Sequence, residues 1–523
     1  LKKKLLMSPE EAVELIKDGD VVATGGFIGT GLPEIISSAL EEKYKKSGFP
    51  KDLTLVFAAG QGSKNGDGND HFAHKGLIKR VIGGHWAKCP KMGEMANNNE
   101  IEAYNFPQGV ICQMYRDISI QQKFTLSKIG LYTFVDPRIS GGKLNSVTTE
   151  DMVKVVNIEG NEMLLYKHVP IDICLLKGTY ADEKGNISFE KEPLVLDATS
   201  LAQACKASGG KVLVQVEKIV KNNTLDPKLV KVPGIYVDGV VLGDEKTNCQ
   251  SLGIPFDPSL CGEKNVVIDR KSSIELDSKK VIARRAALEL KKWSVINLGI
   301  GTPEYISNVA VEEEIDEYLT FTIESGIVGG IALKDIQFGT AKNPDSIMDH
   351  RLQFDFYDGG GLDMAYLGLA EGDMNGNVNV SKFGQLIAGC GGFINITQSA
   401  KKVFFCGTFT AGGLKTEIKN GKLSILTEGK KKKFVKKAEQ ITFSGEYAQK
   451  KDQAVMFITE RAVFELKKDG LYLTEIAPGI DLKKDILDQM DFTPLISKNL
   501  KLMDERIFCP ETMNLEENFK RED

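Results

Sequence analysis

No apolar run in this chain approaches the roughly 20 residues that a membrane-spanning helix needs. Charge of one sign is not in excess either. Lys and Arg number 67 against 72 Asp and Glu, and a net charge of −5 gives no electrostatic reason to expect nucleic acid or an anionic membrane as partner. Paired cysteines are missing: the nine that occur include no CxxC and keep no regular spacing, which reads as buried thiols in a reducing compartment and not as a disulfide frame. The opening stretch Leu1–Met7 is basic but too short for a signal or transit peptide. The cytoplasm is the expected location.

What is present is length, glycine and an alternation of strands with helices. A chain of 523 residues exceeds one compact core, so two or more domains are expected. Apolar residues at 42% and charged residues at 27% are ordinary for a soluble globular protein. The 52 glycines cluster beside short apolar strands, where backbone bends and approaches ligand. Ser8, Pro9 and Glu11 predict a capped helix over 8–18. Val21–Thr24 reads as a buried strand running into Gly25-Gly26-Phe27-Ile28-Gly29-Thr30-Gly31-Leu32-Pro33-Glu34, after which a helix begins. Strand, glycine loop and helix make the unit of a parallel α/β sheet.

That loop invites a dinucleotide reading, which two features oppose. Glu34 in the first helical turn competes for the helix dipole that a pyrophosphate would use. The acid expected after the second strand, Leu53–Phe57, is missing, since Asp52 precedes it. His71, His74 and His85 raise zinc, but no third and fourth ligand stands at a recognised spacing, so no metal is expected and packing near a contact is the plainer reading. Further on, the pattern predicts a hairpin between Val153 and Tyr166, strands over 169–176 and 213–216, an irregular stretch over 217–270, a domain joint near 265–278 and a helix over 278–290. The run Lys430–Lys433 reads as a solvated hairpin tip, or less readily as an attractor for polyphosphate.

One stretch organises the rest: Thr320-Phe321-Thr322-Ile323-Glu324-Ser325-Gly326-Ile327-Val328-Gly329-Gly330. A buried strand ends on an acid and gives way to glycines, which predicts a carboxylate at a strand tip with open space around it. An internal repeat isolates that acid. Gly29–Ser37 matches Gly299–Ser307, Leu53–Gly60 matches Leu319–Gly326, and Gly185–Ser188 matches Gly376–Asn379, in the same order in both halves. The first half carries Ala58 where the second carries Glu324, so the frame is shared and the acid is not.

The loop Gly25–Pro33, the segment Glu324–Gly330 and Ala388-Gly389-Cys390-Gly391-Gly392-Phe393 together resemble the family I CoA-transferases, in particular the single-chain propionate/acetate CoA-transferases. Asp70–His74, Phe356–Asp363 and Phe405–Gly413 extend the likeness over nearly the whole chain. The resemblance implies two duplicated open α/β domains fused in one chain, an N-terminal one over 1–270 and a C-terminal one over 278–523 carrying the catalytic Glu. It also implies ping-pong transfer through a glutamyl-CoA thioester, with an oligomer, often a tetramer.

The residues suit that chemistry. An ionised Glu, with an unperturbed pKa of about 4.3, needs no partner base to attack a thioester. Its tetrahedral intermediates need preorganised N–H donors. Gly391 and Gly392 are the first candidates, and Gly25, Gly26 and Gly29 of the facing loop, which could also hold CoA, are the second. Phe27, Ile28 and Gln61 are candidate walls of a small acyl pocket. No resident cofactor is expected, coenzyme A being a substrate alongside acyl-CoA and small carboxylates. Two rivals share the frame: an acyl-CoA hydrolase, in which water resolves the intermediate, and a non-covalent sugar-phosphate isomerase or ligand-sensing module.

Overall fold

Ser8 caps its helix as the sequence predicts. Its hydroxyl accepts from Glu11 N at 3.2 Å, and the Glu11 carboxylate accepts from Ser8 N at 3.0 Å. The helix, α1 (Pro9–Val13), is shorter than expected. Leu15 and Ile16 already bond three residues back, and Asp20 captures Lys17 N at 2.8 Å, so the Asp18–Asp20 turn unwinds the last part. The computed structural model describes residues 5–267 and 274–521. The expected joint near 265–278 therefore lies partly outside the described residues. The chain forms two compact units, one of 1–266, 323–355 and 382–395, the other of 267–322, 356–381 and 396–523.

The first unit is built on an eight-stranded sheet. Its strands are β1 (Leu6–Met7), β2 (Val21–Thr24), β3 (Leu53–Phe57), β4 (Ile78–Gly83), β5 (Glu102–Asn105), β6 (Ile173–Lys177), β7 (Lys211–Val216) and β8 (Gly239–Leu242). They lie in the order β1-β8-β7-β6-β2-β3-β4-β5, and every pair is parallel. A parallel sheet needs cover on both faces, which is why β6 and β7 carry the continuous apolar stretches Ile173–Leu176 and Val212–Val214. Helix α2 (Glu34–Ser47) packs Ile36 and Leu40 onto Val22, Leu55 and Leu175 of the strands. Strand β8 arises inside the stretch expected to be irregular. Gly239 packs closely against Leu213 and Met7, so Gly-Val-Val-Leu fits the sheet edge although Pro and Asp surround it in sequence. The predicted hairpin forms from Val153–Ile158 and Asn161–Lys167.

The second unit repeats the plan. Its strands are β9 (Val295–Leu298), β10 (Thr320–Ile323), β11 (Met364–Gly368), β12 (Lys402–Cys406), β13 (Ala454–Ile458), β14 (Ala462–Lys467), β15 (Gly470–Ile476) and β16 (Leu495–Leu502). The order β10-β9-β11-β12-β13 is parallel and reproduces β3-β2-β6-β7-β8 of the first unit. The likeness extends to single hydrogen bonds. Val21 N donates to Asp172 Oδ2 at 2.8 Å, as Val295 N does to Asp363 Oδ2 at 2.9 Å. Asp182 clamps Asn186 N and Nδ2 as Asp373 clamps Asn377 N and Nδ2. The duplication is thus written in buried side chains as well as in sequence.

Two further expectations change. The helix expected over 278–290 spans Ser278–Ala287 and stops short of 290. Lys431–Lys432 is no hairpin tip but an antiparallel strand beside Thr410–Ala411. Lys433 is half-buried, donates to Leu369 O at 2.9 Å, and burial lowers its pKa to about 8. All nine cysteines are free thiols. Among the described residues no helix is long and apolar enough to cross a membrane.

Candidate active site

Glu324 follows β10 directly, half-buried in the turn Glu324–Gly326. Although β10 starts in the second unit, Ile323 and everything to Asp355 belong to the first. The acid therefore does not stay with the linear C-terminal half: its surroundings are residues of the first unit. Ser325 Oγ donates to Gly339 O at 2.5 Å and pins the turn. The glycines around the acid turn out to serve the chain itself. Gly326, Gly329 and Gly330 have φ of +114°, +70° and +75°. A β-carbon on them would collide with the Met348 carbonyl, the Asp345 carboxylate and the Lys342 carbonyl respectively. The expected open space is not on that side.

On another side the acid meets the Gly392 loop: a β-carbon placed on Gly392 would lie 3.4 Å from Glu324 Cγ and 3.0 Å from Phe354 Cζ, so the loop packs closely against the acid. The loop is stitched to the tips of β4 and β5. Trp86 N and Ala87 N donate to Ala388 O at 2.7 and 3.0 Å, Cys390 N to Asn105 Oδ1 at 2.9 Å, and Gln108 N to Gly391 O at 2.9 Å. One consequence corrects the sequence reading: Gly391 N already donates to Gly84 O at 2.8 Å, so of the two glycines only Gly392 has an N–H without an acceptor among the described residues.

The Gly25–Gly31 loop is drawn tight by Phe27 and Thr30, which exchange two hydrogen bonds of 2.9 Å. Gly25 N donates to Leu175 O at 2.9 Å, so it too is committed. Gly26, at φ +148°, packs against Leu32 and Gln61, and Gly29 against Ile336. Phe27 and Ile28 are buried in one apolar cluster with Ile323 and Ile327, the residues that bracket the Glu324 turn. Gln61 is buried as well, and its amide donates to Thr24 O at 3.0 Å. All three candidate wall residues are thus buried.

Sequence reasoning missed four residues. His350, on the helix His350–Asp358, is fully buried. Its Nδ1 lies 2.8 Å from Asp197 Oδ2 and its Nε2 lies 2.7 Å from Gln108 Nε2. With the imidazole proton on Nδ1, Asp197 accepts and Nε2 receives the Gln108 amide, which stands beside Gly391. Cys112 Sγ joins this cluster 3.5 Å from Nδ1, and burial with Asp197 nearby pushes its thiol well above the usual range. The ligand-type atoms of Cys112, Asp197 and His350 lie within 4.8 Å of one another, and Asp197 Oδ1 has no hydrogen-bond partner among the described residues. No spacing rule could have gathered residues 108, 112, 197 and 350. His85, first read as a packing residue, lies against Gly60 and Gly391. Burial and the nearby Lys88 and Lys64 lower its pKa to about 4, so it is neutral, and its Nδ1 has no partner among the described residues. His71 and His74 instead bond Glu34 and Glu41 of α2 at 2.6–2.7 Å.

The arrangement sets the Glu324 carboxylate, at the tip of β10, against the Gly392 loop, with the neutral His85 imidazole against the neighbouring Gly391. Residues 6–243 match the family described as coenzyme A transferase. The chain is 46% identical over 510 residues to the acetate CoA-transferase YdiF of Escherichia coli K12, covering 97% of this chain and 96% of that protein. It is 43% identical over 508 residues to the caffeate CoA-transferase of Acetobacterium woodii, covering 96% and 97%. Crystal structures of the E. coli O157:H7 acyl-CoA transferase YdiF, as apoenzyme and as a thioester complex with CoA, superpose with a TM-score of 0.93 at 44% identity over 98% of both chains. Sequence, duplicated sheets and site agree: this chain belongs to the coenzyme A transferase family.

Proposed function

We propose that the chain moves coenzyme A between short-chain acyl-CoA and short-chain carboxylates, with Glu324 as the nucleophile. The Glu324 carboxylate adds to the thioester carbonyl, the C–S bond breaks, and a mixed anhydride and CoA thiolate result. The thiolate then attacks the Glu324 carbonyl, releasing the carboxylic acid as its anion and leaving a glutamyl-CoA thioester. An incoming carboxylate runs both steps in reverse. Thioester energy is conserved, so the steps need no ATP, no metal and no resident cofactor.

The closeness of the Gly392 loop to Glu324 Cγ carries this reading: it supports the Gly392 N–H, which has no acceptor among the described residues, as a donor to the oxyanion formed during attack on the Glu324 carbonyl. Gly26 and Gly29 remain the donors of the second loop, with Gly391 and Gly25 shaping their loops through their own hydrogen bonds. Phe27 and Ile28, with Gln61 behind them, would limit the acyl group to a few carbons. An apolar pocket separates acids differing by one methylene by only about 1–3 kcal/mol, so acetate, propionate and butyrate are proposed as a class. The relatives named above act as transferases, which favours carboxylate over water as the acceptor. Small carboxylates, acyl-CoA and further copies of the chain are the proposed partners.

The test is mass spectrometry of the intact protein after mixing with acetyl-CoA or propionyl-CoA without acceptor, followed by borohydride trapping and peptide mapping. A CoA adduct, or a reduced Glu324 in the 320–330 peptide, is expected, and Glu324→Gln should lose both along with more than about 10⁴-fold of the transfer rate at unchanged folding. An unmodified Glu324 with intact acyl-CoA would overturn the covalent mechanism. An unmodified Glu324 with accumulating CoA would favour hydrolysis.

A further inference from the structure

Three helices bring a thiol, a carboxylate and an imidazole to one buried point of the first unit. Cys112 lies on the helix Gln108–Ser119, Asp197 immediately precedes the helix Ala198–Ala207, and His350 opens the helix His350–Asp358. One ligand-type atom from each falls within 4.8 Å of the other two. An Asp just before a helix ordinarily turns its carboxylate onto that helix. Asp197 makes no such bond and turns Oδ2 to His350 Nδ1 instead, at 2.8 Å.

The carboxylate is left with an unmet demand. Its side chain is only 8% exposed, its Oδ1 has no hydrogen-bond partner, and no Lys or Arg stands within ion-pair distance of it among the described residues. A buried carboxylate in that condition is costly. Tyr115, one turn on from Cys112 and within electrostatic reach of both Cys112 and Asp197, is buried too, and its hydroxyl has no partner among the described residues. A water molecule would satisfy Oδ1 but gives no reason for a thiol to stand 3.5 Å from His350 Nδ1.

We propose that Cys112, Asp197 and His350 bind a thiophilic divalent cation of the zinc class. Sulfur, nitrogen and a single carboxylate suit zinc and not magnesium or calcium. In a tetrahedral zinc site the N–S edge is about 3.6 Å and the N–O edge about 3.4 Å. The Cys112–His350 pair already has the first spacing, and Asp197 needs to withdraw by only about half an ångström to reach the second. Binding sends the Cys112 thiol proton to solvent and moves the imidazole proton from Nδ1 to Nε2. A ligating imidazole donates its other N–H to a neighbouring acceptor. Gln108, 2.7 Å from Nε2, accepts there once its amide turns. The carboxylate is 8% exposed and the imidazole 1%, so the ion enters past Asp197. Glu324 is not among the ligands, and the inference does not depend on its role.

The test is equilibrium dialysis of the full chain against chelator-buffered zinc chloride, with bound metal counted by mass spectrometry, and a parallel titration with cobalt(II). The wild type should hold about one zinc ion per chain, and cobalt should give thiolate-to-metal charge-transfer absorption with tetrahedral visible bands. Cys112→Ser and Asp197→Asn should each weaken zinc binding about a hundredfold or more, and Cys112→Ser should abolish the charge-transfer absorption. Replacing the three less buried thiols, Cys249, Cys261 and Cys509, with serine should leave both signals unchanged. Zinc should raise the melting temperature of the wild type and not that of Cys112→Ser. A wild type that retains no zinc would overturn the proposal and leave water as the occupant. Zinc and cobalt signals that survive Cys112→Ser in a natively unfolding protein would overturn it as well.

Discussion

The Cβ position of Gly392 lies 3.4 Å from Cγ of Glu324, although the two residues reach that point from different loops. Gly392→Ala would put a methyl group in ordinary contact with Glu324 and force Phe354 back by a few tenths of an ångström. Small displacements of a reacting group are costly. The variant is expected to fold normally, as measured by circular dichroism, and to lose about 10–100-fold in kcat with little change in KM. An unchanged kcat would remove Gly392 from the site.

Gly326 and Gly301 separate two kinds of glycine requirement. Both have positive φ, +114° and +92°, but only Gly326 faces an obstacle, the Met348 carbonyl, while Gly301 faces open space. Gly326→Ala should cost about 3 kcal/mol or more through collision and strain together, and Gly301→Ala about 1–2 kcal/mol through strain alone. Thermal unfolding of the two variants gives the comparison, and equal losses would contradict it.

His71 bridges Glu34 and Glu41 at 2.7 and 2.6 Å. Burial opposes its protonation, but the two carboxylates more than offset this and raise its pKa above the ordinary value. A group whose pKa is higher folded than unfolded stabilises fully below the unfolded value, about 6.5, and loses that contribution as pH rises through the folded one. Burial likewise opposes ionisation of Glu41, yet Lys45, His71 and His74 bring its pKa down to about 2. Its contribution is present above the unfolded value, about 4.3, and falls away as pH drops toward 2. Melting temperature measured against pH should therefore decline above pH ~6.5 in the wild type and decline less in His71→Gln. Parallel profiles would rule the bridge out as the cause.

The paired clamps make a symmetric prediction. Asp182 accepts from Lys184 N, Asn186 N and Asn186 Nδ2 at 2.8–2.9 Å, and Asp373 from Asn375 N, Asn377 N and Asn377 Nδ2 at 2.9–3.0 Å. Removing either carboxylate strands several donors, so Asp182→Ala and Asp373→Ala should each cost about 1–3 kcal/mol. Hydrogen exchange at Asn186 and Asn377 should accelerate only in the unit that carries the change. Acceleration in both would show that the clamps are not independent.

Much of this was legible in the chain. Strands Val21–Thr24 and Leu53–Phe57 appear with the bounds that their apolar runs suggest, because a strand covered on both faces leaves a continuous local signal. The capping box at Ser8 and Glu11 is local too. Strand β8 and the Lys431–Lys432 strand were not legible, since each exists only through an edge offered by distant residues.

By itself the sequence determined the fold class, the duplication, the family and the singular position of Glu324, all carried by short-range pattern and by comparing one half with the other. Tertiary structure alone decided which N–H groups remain unclaimed, that Gly391 and Gly25 are committed, and that His350, Asp197, Gln108 and Cys112 form one buried cluster. It also decided that the glycines after Glu324 admit neighbouring backbone while Gly392 admits the acid. The physical reason is the same throughout. A hydrogen-bond donor or an empty Cβ position has meaning only through what stands opposite, and in this chain that is a residue tens to hundreds of positions away.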